Sequence, residues 1–279
     1  MESGSQRRFV GGADPLPRNR WDEDERRRWE SDPVWQASKI APGAELADAA
    51  TAAEWPVNRL TSYTQRQGRG PAVRDLIPDD FDAYLRVLFP VFEPPPRDQN
   101  YVENLLTWHE TALRNDRQPH RLMDLVGIGP DHDDVLHGGT HVPQTLASTQ
   151  EAALISILEN HTPSEQSVFV LWYGDYNGRT VIPTESLIEV DQGPSSPYGV
   201  FSGPHRAWKD FWSYPRWWPE DRSWCWQTGL DLDMTNCAYL GTSHLCAEEI
   251  FASTVIEAVV AQPDDPVFST DTINRPPPK

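Results

Sequence analysis

Apolar residues recur at every second position through Phe81, Ala83, Leu85, Val87 and Phe89, with Asp82 and Arg86 among those between. That period of two predicts a half-buried strand, which Pro90 ends. Val168 through Tyr173 is a continuous apolar run of strand length and predicts a central strand. Gly174 to Gly178 supplies turn chemistry after it, with Asn177-Gly178 the strongest pair. Tyr198 to Ser202 reads as a short strand, and Ser223 to Leu232 as a longer one on which Trp224, Trp226 and Thr228 share a face. Asn236 to Gly241 reads as a turn. Helical spacing predicts Val102 to Arg114, Ser148 to Glu159 and Ala247 to Ala261. In the second of these, Ser148 is placed as N-cap, with Glu151 completing a capping box. In the third, Ile250, Phe251, Val255, Ile256 and Val259 form one stripe, and Pro263 stops it. Strands and helices mix without a βαβ rhythm. The class expected is therefore α+β, with a mixed or mainly antiparallel sheet and flanking helices.

The first 70 residues have a different texture, rich in Pro, Gly, Ala and charge. Short helices are expected at Trp21 to Trp29 and Gly43 to Glu54, with Pro15, Pro17, Pro33, Pro42 and Pro56 breaking the rest. Trp21, Trp29, Trp35 and Trp55 are too much apolar surface for a free tail. Residues 1–70 are thus expected to be an irregular, Pro-rich N-terminal arm, partly disordered and partly wrapped on the body. Residues 71–268 read as a single α+β domain. Residues 269–279, with Pro276-Pro277-Pro278, read as a disordered tail.

Composition narrows the function classes. Among 279 residues, 24 Lys and Arg face 42 Asp and Glu, a formal charge of −18. Such a field repels phosphates, so no nucleic-acid partner is expected. Arg26-Arg27-Arg28 follows Asp22-Glu23-Asp24-Glu25, and pairing at i,i+4 neutralises it on a helix. No apolar run approaches the ~18 residues that cross a bilayer, so no membrane partner is expected. Met1 to Phe9 is polar with no apolar stretch after it, so the cytoplasm is the expected compartment. Cys225, Cys237 and Cys246 form no C-x-x-C pair, which argues against a disulfide framework, and Asn160-His161-Thr162 carries no meaning as a sequon there.

Three constellations carry candidate chemistry. Asp231-Leu232-Asp233-Met234-Thr235 matches D-x-D-x-T and resembles the first motif of haloacid-dehalogenase-like phosphatases. In that family one carboxylate attacks phosphorus, the second moves the proton, and magnesium neutralises charge. Here only 46 residues follow Asp233, and the one Lys among them is Lys279. The competing reading is a strand that runs into a polar turn. His132, His137 and His141, with Asp133 and Asp134, are metal-ligand types, but their spacing fits no closed zinc site. No metal or other cofactor is therefore expected. The third feature is aromatic: of the 12 tryptophans, Trp208, Trp212, Trp217, Trp218, Trp224 and Trp226 crowd one segment. Two readings stand for it. It is core, the usual fate of large aromatics, or a recognition surface in which Trp208, Trp212, Trp217, Trp218 and Arg222 bind a partner. Dinucleotide, P-loop and nucleophile-elbow signatures are lacking; Ser202 in Gly199-Val200-Phe201-Ser202-Gly203 falls one residue off the last.

The run Trp217-Trp218-Pro219-Glu220-Asp221-Arg222-Ser223-Trp224, followed by Asp231-Leu232-Asp233, resembles a family of uncharacterised actinobacterial proteins with W-W-P-x-D-R-x-W ahead of D-x-D-x-T. The likeness spans about Ile77 to Val267 and takes in Phe81 to Pro90, Phe169-Val170-Leu171-Trp172, Phe201-Ser202-Gly203-Pro204 and Pro263-Asp264-Asp265-Pro266. The family's W-D-G stands here as Trp172-Tyr173-Gly174. The resemblance implies no activity, and it places the histidine loop at 131–141 in a variable region. Two functional readings remain. One is a non-catalytic acidic module, regulatory or immunity-type, that binds a basic protein partner; its oligomeric state is left open. The alternative is a metal-dependent hydrolase or phosphatase that uses Asp231 and Asp233.

Overall fold

The computed structural model describes residues 23–24, 27, 43–57, 70–93, 104–129, 146–172, 184–188, 198–210, 216–228, 236–267 and 271–274. The chain enters through β1 (Glu45–Leu46), α1 (Ala49–Ala52) and α2 (Glu54–Val57). Next come β2 (Ala83–Leu88), β3 (Val91–Glu93), β4 (Asn104–Leu106), α3 (Trp108–Arg114) and α4 (Leu125–Ile128). The middle holds α5 (Ser148–Asn160), β5 (Gln166–Trp172), β6 (Leu187–Ile188) and β7 (Tyr198–Pro204). A 3₁₀ turn at His205–Asp210 leads to β8 (Arg216–Pro219), β9 (Cys225–Thr228), β10 (Cys237–Thr242), α6 (His244–Ala252) and β11 (Glu257–Ala261). The class is α+β.

Nine strands form one sheet in the order β1-β7-β5-β8-β9-β10-β2-β11, with β6 also on β7, and β3 pairs β4 apart from it. The pairings are antiparallel throughout the described strands. Both faces of the sheet are covered. On one, Leu85, Val87, Phe169, Leu171, Phe201, Trp217, Trp226 and Leu240 meet α5, α6 and Trp208 of the 3₁₀ turn. On the other, Tyr84, Leu88, Val168, Val170, Trp218, Cys225, Cys237 and Tyr239 meet Trp55, Val73, Ile77, Trp108, Met123 and Ile128. The strand period of two sorts the residues: Leu85 and Val87 go to the helical face, Tyr84 and Leu88 to the other.

Several boundaries differ from those expected, each for a local reason. The predicted helix from Val102 begins only at Trp108, because Thr107 Oγ1 accepts the Glu110 N–H at 3.0 Å and Glu110 returns an acceptor to the Thr107 N–H at 2.9 Å. That capping box fixes the start, and the residues ahead of it pair as β4. The Ser148 helix starts one position early: Ala147 is the cap, and its N–H donates to Gln150 Oε1 at 3.0 Å. The region read as a turn at Asn236 to Gly241 is the fully buried strand β10. Gly241 belongs there because a Cβ would come within 2.3 Å of Phe81 and 2.5 Å of Ile77; it permits close approach rather than a bend. The helix predicted to run through Ala261 stops at Ala252. The Ser253 hydroxyl accepts the N–H groups of Val255 and Ile256, each at 3.3 Å, and competes with the helical ladder. The β-branched residues that follow form β11. Gly43, at φ +80, and the Asp48 cap likewise split the helix expected over Gly43 to Glu54. There β1 adds to β7, and α2 carries Trp55 into the core at 7% exposure.

Candidate functional site

The tryptophan-rich segment is built as a hairpin. Strands β8 and β9 pair through Trp217 and Trp226, and Arg222, at φ +62, turns the chain between them. The Arg222 N–H closes the turn on the Pro219 carbonyl at 2.9 Å. Alternation points Trp217 and Trp226 to the helical face and Trp218 to the other. Trp217 stacks on Phe169 (centroids 5.8 Å, 10°) and on Trp208 (5.0 Å, 12°), and meets Trp224 edge-on at 4.5 Å. Trp208, Trp217 and Trp218 are at most 2% exposed. Of the two readings of this segment, the core describes these three residues. Trp212 lies outside the described residues. Arg222 is exposed, and its guanidinium stands 5.6 Å from the ring centre of Trp55, which is cation–π range.

Asp231, Asp233, His132, His137 and His141 lie outside the described residues. Among the described residues, no group of three or more His, Cys, Asp or Glu is arranged to hold a metal ion. The cysteines are free and buried. Burial pushes the Cys225 thiol up to about 12 and the Cys246 thiol up to about 11, so both stay protonated and unreactive near neutrality.

Three polar constellations, buried or half-buried, were not legible beforehand. The first centres on Arg86. Its Nη1 donates to the Met123 carbonyl at 2.8 Å, its Nε to Cys237 Sγ at 3.2 Å, and its guanidinium lies 4.9 Å from the Trp108 ring centre. Burial opposes its charge, but Cys237 and Tyr239 outweigh that and raise its pKa. A cavity of about 10 Å³ beside it is lined by Arg121, Tyr239, Val260 and Asp265, room for one water and no metabolite. Arg86 therefore anchors the 121–123 segment. The charged residue inside an alternating strand was visible, but its acceptor stands 37 residues away.

In the second, Ser167 Oγ lies 2.6 Å from His205 Nδ1, and His205 Nε2 lies 2.6 Å from the Ser164 carbonyl. A carbonyl only accepts, so Nε2 carries a proton, and in that neutral tautomer Nδ1 accepts from the Ser167 hydroxyl. This is a serine–histidine pair by geometry. Ser167 is wholly buried and His205 is 5% exposed, so the pair joins β5 to the 3₁₀ turn and offers no approach to a substrate. In the third, Asp271 accepts from the Asn274 backbone N–H at 2.8 Å and its side-chain amide at 2.9 Å, and its carboxylate lies 2.9 Å from His120 Nε2. Burial would raise the Asp271 pKa, but the Asn274 and His120 contacts outweigh it and lower it. A Cβ at Gly127 would fall 2.2 Å from this carboxylate, so the glycine admits the clamp.

The acids are unevenly placed along the sequence. From Ser223 to Asn274 the chain carries Asp231, Asp233, Glu248, Glu249, Glu257, Asp264, Asp265 and Asp271 and no Lys or Arg. Glu248, Glu249 and Asp264 are exposed, Glu249 against His161 and Asp264 against Arg74, and Leu245, Phe251, Val255 and Val260 are exposed apolar residues of the same stretch. No helix among the described residues is long and apolar enough to cross a membrane. No family model matches the chain, and no curated protein or solved structure does either.

Proposed function

We propose that this chain is a non-catalytic, acidic protein-binding module whose partner is a basic protein. One observation carries the reading: a 52-residue C-terminal stretch, 223–274, holds eight acids and no Lys or Arg within a chain of charge −18. A one-signed field accelerates encounter with a cationic partner and disfavours acidic ones. The buried polar groups agree with it, since Arg86, Ser167, His205 and Asp271 are all engaged in holding segments together. The test is affinity capture with the full chain from a lysate of its native organism, followed by identification and direct binding. The reading expects one dominant basic partner whose on-rate falls steeply as salt rises from low to physiological strength. Recovery of acidic partners alone would count against it. Magnesium-dependent hydrolysis of an aryl phosphate, lost in both Asp231→Asn and Asp233→Asn, would replace it with the hydrolase.

A further inference from the structure

The two ends of the sheet are finished differently. At one end the outer edge of β7 carries, among the described residues, only two-residue strands, β1 and β6. Very short edge strands are a common protection against unwanted pairing. At the other end stands β11, five residues long and paired among the described residues on one side only, to β2. It has no Pro and no Lys. Its one charge, Glu257, is turned inward, where the carboxylate accepts the N–H groups of Trp108 at 2.6 Å and His109 at 2.9 Å. Val260 is 53% exposed on it.

Helix α6 roofs this edge. Its Glu249 meets His161, the C-cap of α5, at 2.7 Å. Phe251 is two residues on, about 200° around the helix, so it projects away from α5 towards the β11 side. Phe251 is 44% exposed and Val255, in the link to β11, 45%. Glu248, exposed on α6, adds charge next to Phe251.

We propose that the open edge of β11 accepts an extended, cationic segment of the partner as an added antiparallel strand, its apolar side chains under Phe251 and Val255. The inference rests on the acidic-module reading and names the surface and the form of ligand. Backbone N–H and C=O groups supply affinity in such additions, and alternate side chains supply selection. Charge decides the occupant: Arg121, near Val260 and Ala261, is paired with Asp265, and Arg86 there is bonded to the Met123 carbonyl, which leaves exposed Glu248 and the −18 chain to repel a second copy and attract a lysine-bearing strand.

The experiment uses the full chain and three fluorescein-labelled nonapeptides: alternating Lys and Val, alternating Glu and Val, and the Lys/Val peptide with alternate backbone amides N-methylated. Anisotropy reads affinity, and hydrogen exchange reads protection at 257–261. The Lys/Val peptide is expected to bind and protect those amides, and the Glu/Val peptide to fail. The N-methylated peptide keeps its charge but loses edge donors, and should bind at least about tenfold more weakly; Val260→Lys and Phe251→Ser should each do the same. Circular dichroism confirms that both variants fold. Equal binding of the N-methylated peptide, with neither substitution felt, overturns the edge and leaves a diffuse acidic surface. Binding of poly-lysine but not of the Lys/Val peptide does likewise. Binding of neither overturns the acidic-module reading as well. A dimer in sedimentation that Val260→Lys dissociates assigns the edge to a second copy and overturns the cationic occupant.

Discussion

The two faces of the sheet are closed by different physics. Over one lie α5 and α6, which satisfy their own backbone groups and need bring only apolar side chains. The cover there is mainly aromatic, with Trp208, Trp217, Trp224 and Trp226 in mutual contact, and its buried polar links are few, among them the Ser167–His205 pair and the Trp224 Nε1 bond to the Leu158 carbonyl at 3.2 Å. Over the other lie short helices and irregular chain, whose carbonyls and N–H groups need partners. Side chains provide them. Arg86 holds the Met123 carbonyl, Glu257 caps α3, Asn115 Nδ2 donates to the Ile128 carbonyl at 2.9 Å, and Trp108 Nε1 donates to the Phe89 carbonyl at 2.7 Å. A layer short of regular structure is registered mostly by specific polar anchors, and a helical layer mostly by volume.

Three substitutions bear on this contrast. The largest effect is expected for Trp217→Ala on the helical face, which removes the ring stacked on both Phe169 and Trp208. Loss of a buried Trp costs about 3–5 kcal/mol, a large part of the ~5–15 kcal/mol of a typical domain. Urea unfolding should show it, or the protein should accumulate poorly. Next comes Arg86→Met on the other face. Volume is kept, but the Met123 carbonyl loses its donor, for a cost of about 1–3 kcal/mol. Exchange protection should fall first around residues 121–125. Uniform loosening of both faces would erase the distinction between anchors and volume.

The smallest effect is expected for Asp271→Asn, at about 1 kcal/mol near neutrality. Its direction with pH sharpens the idea of an electrostatic clamp. The Asp271 pKa is lower folded than unfolded, so ionised Asp271 favours the folded state. That contribution is complete above the ordinary carboxylate range and disappears as pH falls through the folded pKa. The gap between wild type and Asp271→Asn should stay constant from neutrality to about pH 5 and close below about pH 4. A gap independent of pH would make Asp271 a shape-filling residue.

Local rules made the strands legible where the pattern was long. Phe81 to Phe89 and Val168 to Tyr173 announced β2 and β5, because a period of two or an apolar run is a property of neighbours in sequence. Trp224 and Trp226 share the helical face as alternation required. Gly241 and Ser253 show where such rules stop. A stretch bounded by Asn236 and Gly241 reads as a turn until Phe81 and Ile77 are seen pressing on the glycine, and those contacts form only when β2 and β10 pair. The α6–β11 break depends on one hydroxyl and on a free place beside β2, which local helix propensity cannot foresee. The clamps are less visible still: Arg86 with Met123, Ser167 with His205 and Asp271 with His120 are each residues of ordinary type, joined across 37, 38 and 151 positions. The sequence by itself determined the acidic field, the α+β class and the residues with the bulk to fill a core. Only the tertiary structure decided which tryptophans face inward, which polar groups meet and which edge is left open, because those depend on strand order and on distances that no local pattern encodes.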